Sequence, residues 1–126
     1  MDIPMRALVI DDSQAVRRII GNIMKGLGYD TIQAGNGLEG LSQLEAHGLQ
    51  DIVLVDWNMP EMNGLEFIKA VRAIPAYGDM PIMMITTETE MENISQAFLA
   101  GVNEYVMKPF DKDMILEKLQ LIGIGA

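Results

Sequence analysis

The sequence predicts an α/β protein of (βα)5 type, a doubly wound, five-stranded parallel sheet with helices on both faces. Two observations carry this. Short, continuous apolar runs recur along the chain and suit strands buried on both faces. Stripes of apolar residues at helical spacing fill every interval between them. Strictly alternating strands and helices are joined by right-handed crossovers, so helices cover both faces of the sheet once the strand order reverses direction.

Residues 7–10 (Ala-Leu-Val-Ile) are the first run. Val16, Ile19, Ile20, Ile23, Met24 and Leu27 then fall on one helical face, with Ser13 able to cap the start and Gly28 following the end. Residues 31–34 alternate in polarity and read as a strand nearer an edge. Leu38, Leu41 and Leu44 mark the second helix, closed by Gly48. Residues 52–55 are a second wholly apolar strand. Leu65, Ile68 and Val71 lie on a third helix that must end before Pro75. Residues 82–85 are the fourth strand, and Met91, Ile94, Phe98 and Gly101 share one face of the fourth helix. The short run 105–107 is the second edge strand, and Ile115, Leu119 and Ile122 carry the last helix. No linker, low-complexity tract or repeat interrupts the series, so residues 1–126 are expected to be one domain with no output domain attached.

Composition excludes several classes of function. Eighteen Asp and Glu against nine Lys and Arg give a formal net charge of −9, whereas nucleic-acid and anionic-membrane binding need a basic footprint. With no cysteine there is no disulfide or thiolate chemistry. No apolar run approaches the roughly 18 residues of a membrane span. The first apolar stretch stops at Asp11 and Asp12, which is not a signal peptide. The expected location is cytoplasmic. The eleven methionines are read as flexible core filler.

In open parallel sheets function gathers at the carboxyl ends of the strands. Standing there are Asp11 and Asp12, Asp56, Thr86 and Thr87, and Lys108 and Pro109. Each alone has an ordinary explanation as a turn, a cap or a β-former. Together they do not, because two unit charges about 4 Å apart repel by roughly 4 kcal/mol at the effective dielectric near a protein surface. Three acids against Lys108 leave a formal −2, which one divalent cation neutralises. All-oxygen donors suit Mg2+ (with Mn2+ an acceptable substitute), whereas Zn2+ would prefer His or Cys. The one histidine, His47, sits at a helix end and reads as a surface residue. A carboxylate beside such a metal, a lysine and a hydroxyl is a phosphoryl-transfer constellation. Asp56, the lone acid after a central strand, is the best nucleophile, and Asp11 and Asp12 are better placed as metal holders.

At this point the residues resemble a known family, the response-regulator receiver domains of two-component systems, and within it the single-domain chemotaxis members. The marks are Asp11 and Asp12, the run Asp56-Trp57-Asn58-Met59-Pro60 with Gly64 beyond it, Thr86, and Tyr105-Val106-Met107-Lys108-Pro109-Phe110, spread over nearly the whole chain. The resemblance implies a flavodoxin-like fold with strand order 2-1-3-4-5. It implies that Asp56 accepts phosphate from a histidine kinase or a small phosphodonor. Mg2+ would be held by Asp11, Asp12, Asp56 and the backbone carbonyl of Asn58. Lys108 would pair with the phosphoryl group, Thr86 would swing toward it, and Tyr105 would rotate inward. The Lys108–Pro109 bond would be cis. Asn58 and Glu88 match chemotaxis members at positions that tune dephosphorylation, implying a short-lived phosphoryl state. Thr87 and Asn63 depart from common family residues, and Thr87's branched side chain would narrow access to the phosphoryl group.

The implied partners are a histidine kinase of the chemotaxis type (CheA-like), a phosphatase, and a target in trans such as a flagellar motor switch component. Target control would pass through the face built from the fourth helix, fifth strand and fifth helix of a monomer. Residues 88–118 carry seven acids and three lysines, so an amphipathic segment of basic character fits that face. A lone receiver passing phosphate to a histidine phosphotransfer protein, a phosphorelay intermediate, is the alternative within the family. A haloacid-dehalogenase-type phosphatase is more remote, because it wants an acid where Asn58 stands. A flavodoxin-like cofactor binder would meet Asp11 and Asp12 where its phosphate loop belongs.

Overall fold

Side chains of the central strands alternate between two cores. Leu8, Ile10, Val53, Val55, Ile82 and Met84 enter one, while Ala7, Val9, Ile52, Leu54, Met83 and Ile85 enter the other. A strand buried on both faces has no polar side, which is why these runs are continuously apolar. The computed structural model describes residues 3–124; residues 1, 2, 125 and 126, included in the single-domain expectation, lie outside the described residues. The strands are β1 (Met5–Ile10), β2 (Tyr29–Ala34), β3 (Ile52–Val55), β4 (Ile82–Thr86) and β5 (Glu104–Met107), all parallel, in the order β2-β1-β3-β4-β5. The helices are α1 (Gln14–Gly26), α2 (Gly37–His47), α3 (Gly64–Arg72), α4 (Met91–Ala100) and α5 (Lys112–Ile122), with a short 3-10 turn at Pro75–Tyr77. Leu44, Phe67, Ile68, Val71 and Ala97 close the first core from α2, α3 and α4. Ile20, Met24, Ile115 and Leu119 close the second from α1 and α5.

Strand register positions the site. Ile10 pairs with Val55, so the next residues, Asp11 and Asp56, leave the sheet side by side. The Asp56 N–H continues the ladder to the Ile10 carbonyl at 3.0 Å, and the Asp11 N–H reaches the Ala34 carbonyl at 3.1 Å. Thr86 pairs with Met107, and the Lys108 N–H donates to the Thr86 carbonyl at 2.9 Å. The Lys108–Pro109 bond is cis, as the resemblance implies.

The helix starts follow their caps. Ser13 accepts from the Val16 N–H, Asn36 from Glu39 and Asp111 from Met114. Asn63 and Glu66 form a reciprocal capping box at α3, so the departure at Asn63 leaves the cap intact. Three apolar stripes need correction. Ile19 on α1 is 53% exposed and Leu38 on α2 is 48% exposed. On α4 the buried residue is Ala97, while Met91 is 75%, Phe98 44% and Leu99 87% exposed. A small residue lets α4 lie close to its neighbours, so its large apolar residues are left facing outward. Gly101 is the left-handed cap that ends the helix, not a member of its face.

Gly64 joins fold to site. Its N–H donates to the Trp57 carbonyl at 2.9 Å, and a Cβ built on it would collide with the Asp56 carbonyl oxygen. The obstruction is backbone, so relief would require moving β3 or α3. Gly64→Ala is expected to cost about 1–3 kcal/mol, the range for forced overpacking, measured as a lowered urea midpoint with an unchanged slope.

Candidate functional site

Carboxylate oxygens of Asp11, Asp12 and Asp56 lie within 4.8 Å of one another at the carboxyl edge of the sheet. Asp11 is 1% and Asp56 6% exposed, whereas Asp12 is open to water. Each buried acid has a local backbone donor. The Ser13 N–H donates to Asp11 Oδ1 at 2.9 Å, and the Trp57 N–H donates to Asp56 Oδ1 at 2.7 Å. Their second oxygens share one cation. Lys108 Nζ is 2.8 Å from Asp11 Oδ2 and 3.4 Å from Asp56 Oδ2. The first contact is a tight charge-assisted bond and the second is long, so the outer oxygen of Asp56 is the least firmly held of the four. Burial pulls the Lys108 ammonium down, but hydrogen bonds and charges from Asp11 and Asp56 outweigh it and hold the group above its ordinary value. The lysine is a cation in this setting.

Thr86, fully buried, accepts the Glu88 N–H on its hydroxyl at 3.3 Å. Tyr105, half-buried on β5, donates its hydroxyl to the Glu88 carbonyl at 2.8 Å, and its ring lies 6.4 Å from that of Phe98. Thr86 and Tyr105 thus hold opposite ends of the same residue. The Glu88 side chain turns away from the acids. Its carboxyl accepts from the Glu90 N–H at 3.3 Å, and hydrogen bonds from Asn93 and then Glu90 hold it below the usual carboxylate range. Asn58 lies exposed on the loop after Asp56. That loop contains a γ-turn at Glu61, with φ of 67° and a Met62 N–H to Pro60 carbonyl bond of 2.7 Å, an uncommon conformation for a non-glycine residue. Thr87 is exposed, and His47 is exposed at the end of α2.

The fold therefore brings together Asp11, Asp12, Asp56 and Lys108, places Thr86 and Tyr105 in contact with Glu88, and leaves the Glu88 carboxylate outside the cluster. Three carboxylates with no nitrogen or sulfur donor fit a hard divalent cation that keeps several waters. Arg17 was not singled out from the sequence, yet it donates to the Asp11 carbonyl. A cation one turn into an amphipathic helix carries no local sign that it points back at a strand end.

Burial, then the charges of Glu88 and Asp56, push the Tyr105 phenol up to about 12. A phenol loses its proton near 10 in an unfolded chain, so stability is expected to fall as pH rises from about 10 to 12. Tyr105→Phe should reduce that slope in urea unfolding and shrink the late part of an ultraviolet titration, leaving the share of Tyr29, which burial and then Asp51 also raise.

Comparison with known proteins agrees with this geometry. The family model described as the response regulator receiver domain matches residues 7–120. The chain is 44% identical over 119 residues to the chemotaxis protein CheY1 of Helicobacter pylori, covering 94% of this chain and 96% of that one. It is 45% identical over 124 residues to a CheY homolog of Campylobacter jejuni, covering 97% and 95%. Among solved structures, the chemotaxis protein CheY4 of Vibrio cholerae superposes with a TM-score of 0.89 at 33% identity, over 95% of this chain and 99% of that one. Sheet order, acid cluster and relatives agree: the chain belongs to the response regulator receiver domain family, phosphorylation-dependent signalling domains of two-component systems.

Proposed function

We propose that Asp56 is the phosphoacceptor and that its outer oxygen, Oδ2, is the attacking atom. One observation carries this reading: Lys108 spans Asp11 and Asp56 but grips Asp56 only loosely, at 3.4 Å against 2.8 Å. Attack forms an Asp56 O–P bond while the bond from phosphorus to the donor's imidazole nitrogen, or to the leaving oxygen of a small phosphodonor, breaks. Asp11, Asp12, Asp56 and the Asn58 carbonyl would hold Mg2+. When bound, the metal offsets charge on the phosphoryl oxygens and orients the donor. Lys108 supplies the second positive contact, and the Thr86 side chain can swing away from the Glu88 N–H it accepts so that its hydroxyl donates to a phosphoryl oxygen. Because Tyr105 holds the other end of Glu88, that exchange loosens the tyrosine and lets it turn inward. Asn58 and Glu88 would tune how quickly the phosphoryl group is lost, and the protein assists both steps on itself without being an enzyme in the ordinary sense.

The output surface in this reading is α4, β5 and α5. Met91 and Leu99 stand exposed there in an acidic setting, which suits an amphipathic basic segment of the target. Similarity to chemotaxis proteins supports a CheA-like kinase upstream and a flagellar motor switch component as the target, both met in the cytoplasm.

Incubation with a small phosphodonor and Mg2+ should add one phosphoryl mass to the protein, and Asp56→Asn should abolish it. No mass gain in the parent protein would overturn the assignment. Asp12→Ala should raise the Mg2+ concentration for half-maximal phosphorylation by roughly tenfold or more, the scale of about 1.4 kcal/mol in binding, followed by titrating Mg2+ against phosphoprotein yield.

A further inference from the structure

The peptide unit joining Asp11 to Asp12 fixes the backbone from which the Asp12 side chain leaves, and among the described residues one side chain holds that unit. Arg17 on α1 donates from Nη1 to the Asp11 carbonyl oxygen at 2.5 Å. Its Nε donates to Gln33 Oε1 on β2 at 3.2 Å. The Gln33 main-chain carbonyl in turn accepts from Gln43 Nε2 on α2 at 2.8 Å. The guanidinium is therefore anchored to a second element while it grips the first. The Asp11 carbonyl and the Asp12 N–H share one plane, so a donor fixed on the carbonyl resists rotation of the whole unit. Asp11 is independently tied by its N–H, by Ser13 and by Lys108. Asp12 has no such tie: it is exposed, and among the described residues its carboxylate makes no hydrogen bond or ion pair.

We propose that Arg17 is a positioning residue for the cation site, presetting the Asp12 carboxylate toward Asp11 and Asp56 without touching metal or phosphoryl group itself. The proposal rests on the reading of Asp11, Asp12 and Asp56 as a metal site. Holding two acceptors on different strands requires the planar fork of an arginine, since a lysine offers one point donor. Position and charge predict opposite signs here. Arg17 is a cation beside a cation site, so if charge alone mattered, removing it would tighten divalent binding. If position matters, removing it frees the Asp11–Asp12 unit and weakens binding.

The test is Mg2+ titration of the full chain, read by the emission of Trp57, whose N–H binds Asp56. Arg17→Ala should weaken Mg2+ binding by about tenfold, the scale on which groups that orient metal ligands act. Arg17→Lys, which keeps the charge, should recover only part of the loss. Saturating Mg2+ should restore the rate of phosphorylation by a small donor in Arg17→Ala, separating lost affinity from lost chemistry. Urea unfolding without Mg2+ monitors the fold, and should Arg17→Ala fail to fold, Gln33→Ala removes one anchor and should weaken binding severalfold. Unchanged or tighter Mg2+ binding by folded Arg17→Ala, with a normal response in the parent protein, overturns the role of Arg17 alone. Absence of a saturable Mg2+ response in the parent protein overturns the metal-site reading beneath it.

Discussion

Gathering three carboxylates within 4.8 Å at one edge of the sheet is the constraint on which the rest of the structure depends. Two of the acids are buried, where an ionised group loses its hydration and must be repaid by nearby donors or cations. Lys108 offsets part of that cost by bridging Asp11 and Asp56, and its contact with Asp11 joins residues 97 apart in sequence. The bridge exists only when β1, β3, β4 and β5 stand in their final order, so the charge balance of the site reports completion of the sheet. One lysine against three acids still leaves a formal −2. A site balanced this way has a strong electrostatic reason to take up a divalent cation.

The same constraint explains the contents of the loops around the site. Asp56 has its N–H in the sheet ladder and its Oδ1 on the Trp57 N–H, and the chain then turns so that the Gly64 N–H meets the Trp57 carbonyl. Gly64 must then approach the Asp56 backbone more closely than any side chain permits. On the other side, Glu88 is held by Thr86 at its N–H and by Tyr105 at its carbonyl. Under the proposed function, a change at the Thr86 hydroxyl would therefore reach, through a single residue, an aromatic ring beside Phe98 at the α4 surface. Few intermediates are needed because the sheet has already placed chemistry and surface on adjacent strands.

Much of this was legible in the sequence, and for physical reasons. Residues 52–55 and 82–85 announce themselves because strands covered on both faces cannot afford polar residues, and the acids stand out by ending such runs. Thr31 to Ala34 was legible as an edge strand from its alternation, although β2 begins earlier, at the buried Tyr29. The strand order came from family resemblance, since the pattern of elements does not fix it. Helix α4 misled because amphipathic spacing shows that a helix has an apolar face without showing what covers it, and here Ala97, not Met91 or Phe98, meets the core. Contacts such as Arg17 to Asp11 and Lys108 to Asp11 depend on side-chain direction at the sheet edge. Lys108 was legible only because a lone cation among acids has electrostatic reason to be there, while Arg17 had none.

The unequal treatment of the three acids bears on how the site would work as a switch under the proposed function. Asp11 has a donor on each oxygen and is nearly immobilised. Asp56 is firmly held on one oxygen and loosely on the other. Asp12 is held only through its backbone, in water. A cluster satisfied at every oxygen would be more stable and would have no capacity left for a new ligand, because each incoming contact would displace an existing one. A cluster with no fixed member would lose binding free energy to ordering its ligands. Under the proposed function, the gradation from fixed to free would make Asp11 a rigid reference, Asp56 the source of the reactive oxygen and Asp12 an adaptable ligand. Adding a phosphoryl group to Asp56 brings roughly −1.5 to −2 units of charge and new acceptor oxygens into this arrangement. Lys108 would be the counter-charge best placed to answer it under that proposal, since it already lies 3.4 Å from Asp56 Oδ2. The loose 3.4 Å contact is thus where the proposed phosphorylation would cost the resting site least to reorganise.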